Sequence, residues 1–166
     1  MKNRGFTLAE MVAVIAIMAL LALISAPFVK GYIDDAYNGK AIVHLREIYE
    51  ARKNFEKDFP GTTISDGGGA GTLESCTSDK IYSGNTFIWN KYALVTCGYL
   101  RSTDLETRYE FKVGRGIASC AACDEGHTPI VSMTGKANAG LYRDKCACID
   151  SWGREYRQSP DDGSGN

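Results

Sequence analysis

From Met11 to Val29 the chain carries 17 apolar residues in 19, interrupted only by Ser25 and Pro27. As a helix this run reaches roughly 28 Å, close to the hydrocarbon thickness of a bilayer, so it can cross a membrane. Lys2 and Arg4 precede it. The positive-inside rule then keeps the N-terminus in the cytoplasm and exports everything after Pro27. All six cysteines lie between Cys76 and Cys148, and this topology places them in an oxidising compartment. With a net charge of −1 over 166 residues, a polybasic nucleic-acid binder is disfavoured. The molecule reads as two parts.

A secretory signal peptide or a plain anchor would share this hydropathy. The one small-residue cleavage candidate at the end of the run is Ile24-Ser25-Ala26, and Pro27 would stand directly after the cut and hinder the peptidase. Glu10 is more telling. A carboxylate at the cytoplasmic edge of an apolar helix is costly to insert, so it calls for a partner; the competing reading is a side chain snorkelling into the headgroups.

Gly5-Phe6-Thr7-Leu8-Ala9-Glu10, after a short basic leader and before an apolar helix containing Pro27, resembles the N-terminus of type IV pilins and type II secretion pseudopilins. The resemblance covers about the first 30 residues. Ala9 stands where the family often has Ile or Val, and Met11 where it often has Leu. The resemblance implies that a prepilin peptidase cuts between Gly5 and Phe6 and methylates the new amino group of Phe6. Gly5 suits a narrow cleft because it has no Cβ. A cut there creates a positive amine four residues before Glu10, and in a staggered bundle one chain's carboxylate can meet the next chain's amine. Such a buried pair acts as a register device. Glu10 also lies near the positive end of the helix dipole.

Beyond Pro27, Ile33, Tyr37, Ala41, Leu45, Ile48, Phe55 and Phe59 recur at helical spacing with charges between them, so an amphipathic helix continues. Pro27 is expected to kink it, and Gly31 and Gly39 to favour a locally melted stretch. Pro60-Gly61 should end it. The Asp66-Gly67-Gly68-Gly69-Ala70-Gly71 segment lacks the Gly-Lys-Ser/Thr of a phosphate loop and reads as a linker. Arg108 to Val113 alternates as a half-buried strand should. Ile130 to Met133 and Cys148 to Tyr156 are further strand candidates, and Asn90 to Leu100 fits a strand or a short helix.

The expected fold is α+β: a long N-terminal helix, membrane-spanning in its first half and amphipathic in its second, packed on a small antiparallel sheet braced by disulfides. Its parts are a leader at 1–5, a transmembrane and assembly helix at 6–29, its amphipathic continuation at 30–59, and a cysteine-containing head at 60–166.

Cys120-Ala-Ala-Cys123 and Cys146-Ala-Cys148 form two close pairs that raise zinc on spacing alone, with His127 as a further candidate. Export favours disulfides over zinc or redox-active thiols. The pairing expected is Cys76 with Cys97, and Cys120/Cys123 crossed to Cys146/Cys148. His44 and His127 read as solvated side chains. No catalytic constellation, cofactor motif or metal-ligand set emerges, and Asp161-Asp162-Gly163-Ser164-Gly165-Asn166 reads as an acidic tail rather than a calcium loop.

Asp150-Ser151-Trp152-Gly153-Arg154-Glu155-Tyr156 is similar to the Asp-Pro-Trp-Gly-x-x-Tyr stretch near the end of major pseudopilins. In that group an acidic calcium loop follows, whereas here the chain stops ten residues after Tyr156. Trp152 and Tyr156 would anchor the last strand against the long helix, with Gly153 permitting close approach. The whole reading is a non-enzymatic filament subunit, inserted in the inner membrane and then extracted to the periplasm or cell surface. Its partners are a prepilin peptidase, the bilayer, a membrane assembly platform, and copies of itself or other pilins. A secretion pseudopilin is the alternative within this class. A membrane-tethered thiol oxidoreductase using Cys120 and Cys123, or a tethered binding module with a concave pocket, is the alternative outside it.

Overall fold

The computed structural model describes residues 7–69, 76, 88–89, 91–101, 104–114 and 129–160. One helix, α1 (Leu8–Asp58), takes 51 of them, roughly 76 Å of continuous rod. It passes unbroken through positions 27, 31 and 39, so the melted stretch expected there does not form. A glycine costs a helix only about 1 kcal/mol relative to alanine, too little to interrupt a rod that the head supports further on. Phe59 caps the C-terminus, its N–H donating to the Phe55 carbonyl at 2.9 Å, and the Thr62 hydroxyl donates to the Phe59 carbonyl at 2.7 Å. Pro60 cannot extend the ladder.

The head follows in the order β1 (Thr63–Gly69), β2 (Ile88–Trp89), α2 (Lys91–Thr96), a 3-10 turn at Asp104–Thr107, β3 (Tyr109–Val113), β4 (Pro129–Gly135), a 3-10 turn at Gly140–Tyr142, β5 (Cys146–Asp150) and β6 (Glu155–Arg157). Strands β3-β4-β5-β6 form an antiparallel meander in chain order, with Phe111 opposite Met133, Met133 opposite Ala147, and Cys148 opposite Tyr156. Strands β1 and β2 pair parallel beside it. The α+β expectation holds.

Three local expectations change. The glycine-rich segment read as a linker belongs to β1 as far as Gly69, because backbone pairing needs no side chain and here overrides weak strand propensity. The Cys148–Tyr156 candidate is two strands joined by a tight turn, since the chain reverses at Asp150. The ambiguous Asn90–Leu100 segment resolves as α2.

The second half of α1 lays Ala41, Leu45, Ile48, Phe55 and Phe59 on the inner face of the sheet, against Tyr109, Phe111, Val113, Val131 and Ile149. Ile33 was expected on this face but is exposed, and Asp34 takes the inner place. Its carboxylate lies 3.5 Å from Arg108, whose guanidinium stacks on the Tyr37 ring at 3.9 Å. Strand β5 is buried at all five positions because its two faces meet different neighbours. Ala147 and Ile149 face the main core, while Cys146 and Cys148 pack with Tyr156.

At the far end of the core, Phe55 stacks on Phe59 and Tyr99, with ring centroids 4.9 and 5.3 Å away. The Tyr99 hydroxyl donates to Asp58 at 2.7 Å; burial first, then that carboxylate, push its phenol up to about 12. Phe55 is fully buried, so Phe55→Ala is expected to lower head stability by about 3–5 kcal/mol, measured as a shifted denaturation midpoint of the full chain in detergent.

Candidate functional site

Helix α1 begins with a reciprocal cap. Thr7 is extended (φ −79°, ψ 154°), and its hydroxyl oxygen accepts from the Glu10 N–H at 3.3 Å. Glu10 Oε2 in turn accepts from the Thr7 N–H and the Thr7 hydroxyl, both at 2.8 Å. This is a capping box, written in the sequence as Thr7-x-x-Glu10. Glu10 therefore already has an intrachain partner, while its Oε1 accepts nothing among the described residues. Gly5 and Phe6 lie outside the described residues.

Next to the cap the helix is bare. Leu8–Ser25 is long and apolar enough to span a membrane, with a mean hydropathy of 2.5 and no residue of that window buried. Its Leu, Ile, Val and Met side chains point outward on every side, and the exposure continues through Phe28, Val29 and Tyr32. A helix that is hydrophobic all round belongs in lipid or among other helices. Continuous burial begins only where the head covers α1, at Asp34, Ala41 and Ile42. One rod thus presents two surfaces, one covered and one not.

The four described cysteines are all bonded. Cys76 and Cys97 are joined, with Cα atoms 5.4 Å apart, which ties residue 76 to the end of α2 as expected. Cys146 and Cys148 are also disulfide-bonded; Cys120, Cys123 and His127 lie outside the described residues, as does the acidic tail. No cluster of three potential metal ligands occurs among the described residues.

His44 is buried rather than solvated. The strand α1 packs against puts Phe111 edge-on to its ring at 5.1 Å, and Nδ1 sits 3.1 Å from Glu47. Beside it a cleft of about 390 Å3, open mouth included, is lined by Ile48, Lys91, Tyr92, Leu100 and Glu106 among others. Its polar groups largely satisfy one another: Lys91 donates to the Phe111 carbonyl at 2.8 Å and pairs with Glu106 at 3.1 Å, and Tyr92 donates to Glu106 at 3.3 Å. Nothing here forms a nucleophile and base.

Asp150, fully buried at the end of β5, is the centre of a hydrogen-bonded turn. It accepts from the Trp152 N–H at 2.9 Å, the Arg154 N–H at 2.8 Å, Arg154 Nε at 3.0 Å and the Tyr156 hydroxyl at 3.2 Å. Burial works to raise its pKa, but these donors outweigh it and hold the carboxyl below its usual range. The turn places Gly153 (φ +82°) so that a Cβ there would come 3.1 Å from the Tyr49 hydroxyl on α1, so the expected close approach is real. Trp152 does not anchor the strand on the helix. Its indole is 67% exposed with the Arg154 guanidinium 4.7 Å from the ring, because Asp150 draws the residue's N–H inward and leaves the side chain outside. Tyr156 packs on the cysteine pair rather than on α1.

Residues 1–26 match the family model for the prokaryotic N-terminal methylation motif, the prepilin signature of type IV pilins and pseudopilins. No curated protein and no solved structure matches the chain. The chain carries the processing signal of a pilin-like or pseudopilin protein, and that signal lies within the bare part of α1 and the residues before it.

Asp150→Ala removes the buried acceptor that these donors share and is expected to destabilise the head by about 2 kcal/mol. Because the folded carboxyl titrates below its ordinary value of 3.8, its contribution is complete above that value and disappears as pH falls through the depressed one. The wild-type acid-unfolding curve should therefore lose a component below pH 3.8 that Asp150→Ala lacks, as followed by near-ultraviolet circular dichroism.

Proposed function

We propose that this protein is a structural subunit of a type IV filament, cut by a prepilin peptidase after Gly5, methylated on Phe6, and polymerised through the bare half of α1. The observation that carries the reading is the coincidence of the methylation motif at residues 1–26 with a helix left uncovered from Leu8 to Ser25. Before assembly the bilayer covers that surface, with the N-terminus in the cytoplasm and the head in the periplasm. In the filament, neighbouring helices cover it. Glu10 then exchanges the Thr7 cap for the amine of an adjoining Phe6, which sets the stagger between copies. Energy for extraction comes from a separate assembly machine.

The disulfides support a structural role for the head, where each bridge typically contributes about 2–4 kcal/mol by restricting the unfolded chain. The Asp150 turn favours a second reading, a type II secretion pseudopilin, because the residues resembling that group's Asp-Pro-Trp-Gly-x-x-Tyr stretch, with Ser151 in place of the proline, form one hydrogen-bonded unit.

Mass spectrometry of the mature protein tests the processing. Loss of Met1 to Gly5, a methyl group on Phe6 and six hydrogens fewer than the reduced chain are expected; an intact Met1, or a start after Ala26, would defeat the reading. Glu10→Gln separates the two roles of the carboxylate, because glutamine also serves in a capping box. It should insert normally and keep its helix, yet lose filament assembly, as Glu10→Leu should. Normal filaments from either variant, seen by electron microscopy, would refute the charge-pairing role.

A further inference from the structure

The charges that bracket the bare helix measure the membrane. Between Glu10 and Lys30 there is no charged residue, and 20 residues of helix rise about 30 Å, the thickness of a bilayer's hydrocarbon core. With Glu10 at the inner edge, Lys30 stands at the outer one. Phe28, Val29 and Tyr32, all exposed, then occupy the outer boundary, where aromatic side chains favour the headgroup level. The interfacial layer extends roughly 5–7 Å beyond the hydrocarbon. Anything the head places beside residue 31 therefore lies in lipid headgroups.

The head does place something there. Leu141, at the tip of the Gly140–Tyr142 turn, puts its Cδ1 3.9 Å from where a Cβ on Gly31 would sit, yet it remains 54% exposed. The turn is held to the helix. Asp34 Oδ2 accepts from the Leu141 N–H at 3.4 Å, and Asp35 accepts from the Tyr142 hydroxyl at 2.9 Å. Gly140 has φ +65°, and a Cβ on it would come within 2.0 Å of the Asp34 carboxylate, so only glycine lets the turn seat so closely. Asp34 is nine-tenths buried in this contact, and Asp144 beyond the turn sits 3.5 Å from Arg143. Asp35, Arg143 and Asp144 are exposed around it, and Leu141 is the apolar side chain that the turn presents at this level.

We propose that Leu141 is a second membrane contact, dipping from the head into the outer-leaflet interface beside Lys30 and Tyr32, with phospholipid as its partner. The inserted subunit then holds its head flush on the bilayer through the spanning helix and this wedge together. The contact involves no base and no enzyme; it is burial of an apolar side chain at the headgroup boundary. The inference rests on the membrane-insertion reading above, and its test separates the two.

The full chain, with Trp152→Phe as parent and the emission of its remaining Trp89 subtracted throughout, is placed one copy per nanodisc in phosphatidylcholine–phosphatidylglycerol lipid, with brominated acyl chains as quenchers. Leu141→Trp should add blue-shifted emission that shallow bromines quench more than deep ones. Leu20→Trp, within the span, should be quenched by deep bromines. A Leu141→Trp signal at water-exposed wavelength and unquenched, with Leu20→Trp quenched, overturns the wedge while leaving insertion standing. Absence of quenching at both positions overturns insertion and the wedge together. A blue shift only when several copies share one disc would assign this face to a second copy of the chain and also overturn the proposal. Circular dichroism and intact disulfides in Leu141→Trp verify that the head is folded, and Gly140→Val, which must displace the turn from Asp34, should weaken quenching of the Trp at 141.

Discussion

A single helix that must satisfy two surroundings governs this structure. From Leu8 to Ser25 it is buried by none of the described residues and is apolar on all sides, so water is the one environment that does not suit it. Its C-terminal half is the central beam of the head, covered by Tyr109, Phe111 and Val131. Because both halves belong to one hydrogen-bonded rod, the position of the head relative to any lipid or filament core is dictated by helix rise alone. The Thr7–Glu10 cap closes the rod at one end, and Phe59 with Thr62 closes it at the other.

The head attaches to this beam by a hydrophobic middle with polar contacts around it. Near the membrane end, Asp34 receives the Leu141 turn and Arg108. Near the distal end, Arg52 pairs with Glu56 at 2.8 Å, which also lies 3.4 Å from the Ile64 N–H of β1. On the far side of the sheet, cysteines and Tyr156 close a smaller cluster separate from the main core. Strand β5 separates these two interiors, which is why its alternate residues are aliphatic and sulfur-bearing yet all buried. In a strand successive side chains point to opposite faces, so one short segment can serve both.

Much of the site was readable beforehand, and the failures share a cause. Glu10 stood out because a charge at the edge of an apolar run has few explanations, and the family resemblance resting on Gly5 to Glu10 agrees with the matched motif. The capping box is equally legible in Thr7-x-x-Glu10. His44 looked solvated because Lys40, Arg46 and Glu47 lie near it in sequence, but the face it shares with Ala41, Leu45 and Ile48 turns it to Phe111. Trp152 looked like an anchor by size, but the Asp150 hydrogen bonds set the turn and turned the indole outward. The glycines of β1 looked like a linker because strand propensity is a side-chain property, whereas pairing is a backbone one.

What the sequence alone determined is whatever depends on local pattern: the apolar run, its basic leader, the placement of Glu10, the helical period through Phe59 and the alternation at Tyr109 to Val113. Each of these follows from the chemistry of neighbours along the chain. Only the tertiary structure decided which residues separated by a hundred positions meet: Asp34 with Gly140 and Leu141, and Gly153 with Tyr49. Those contacts depend on where the sheet docks along the helix. That position is set by the sum of many weak apolar contacts, and no local signal in the sequence records it.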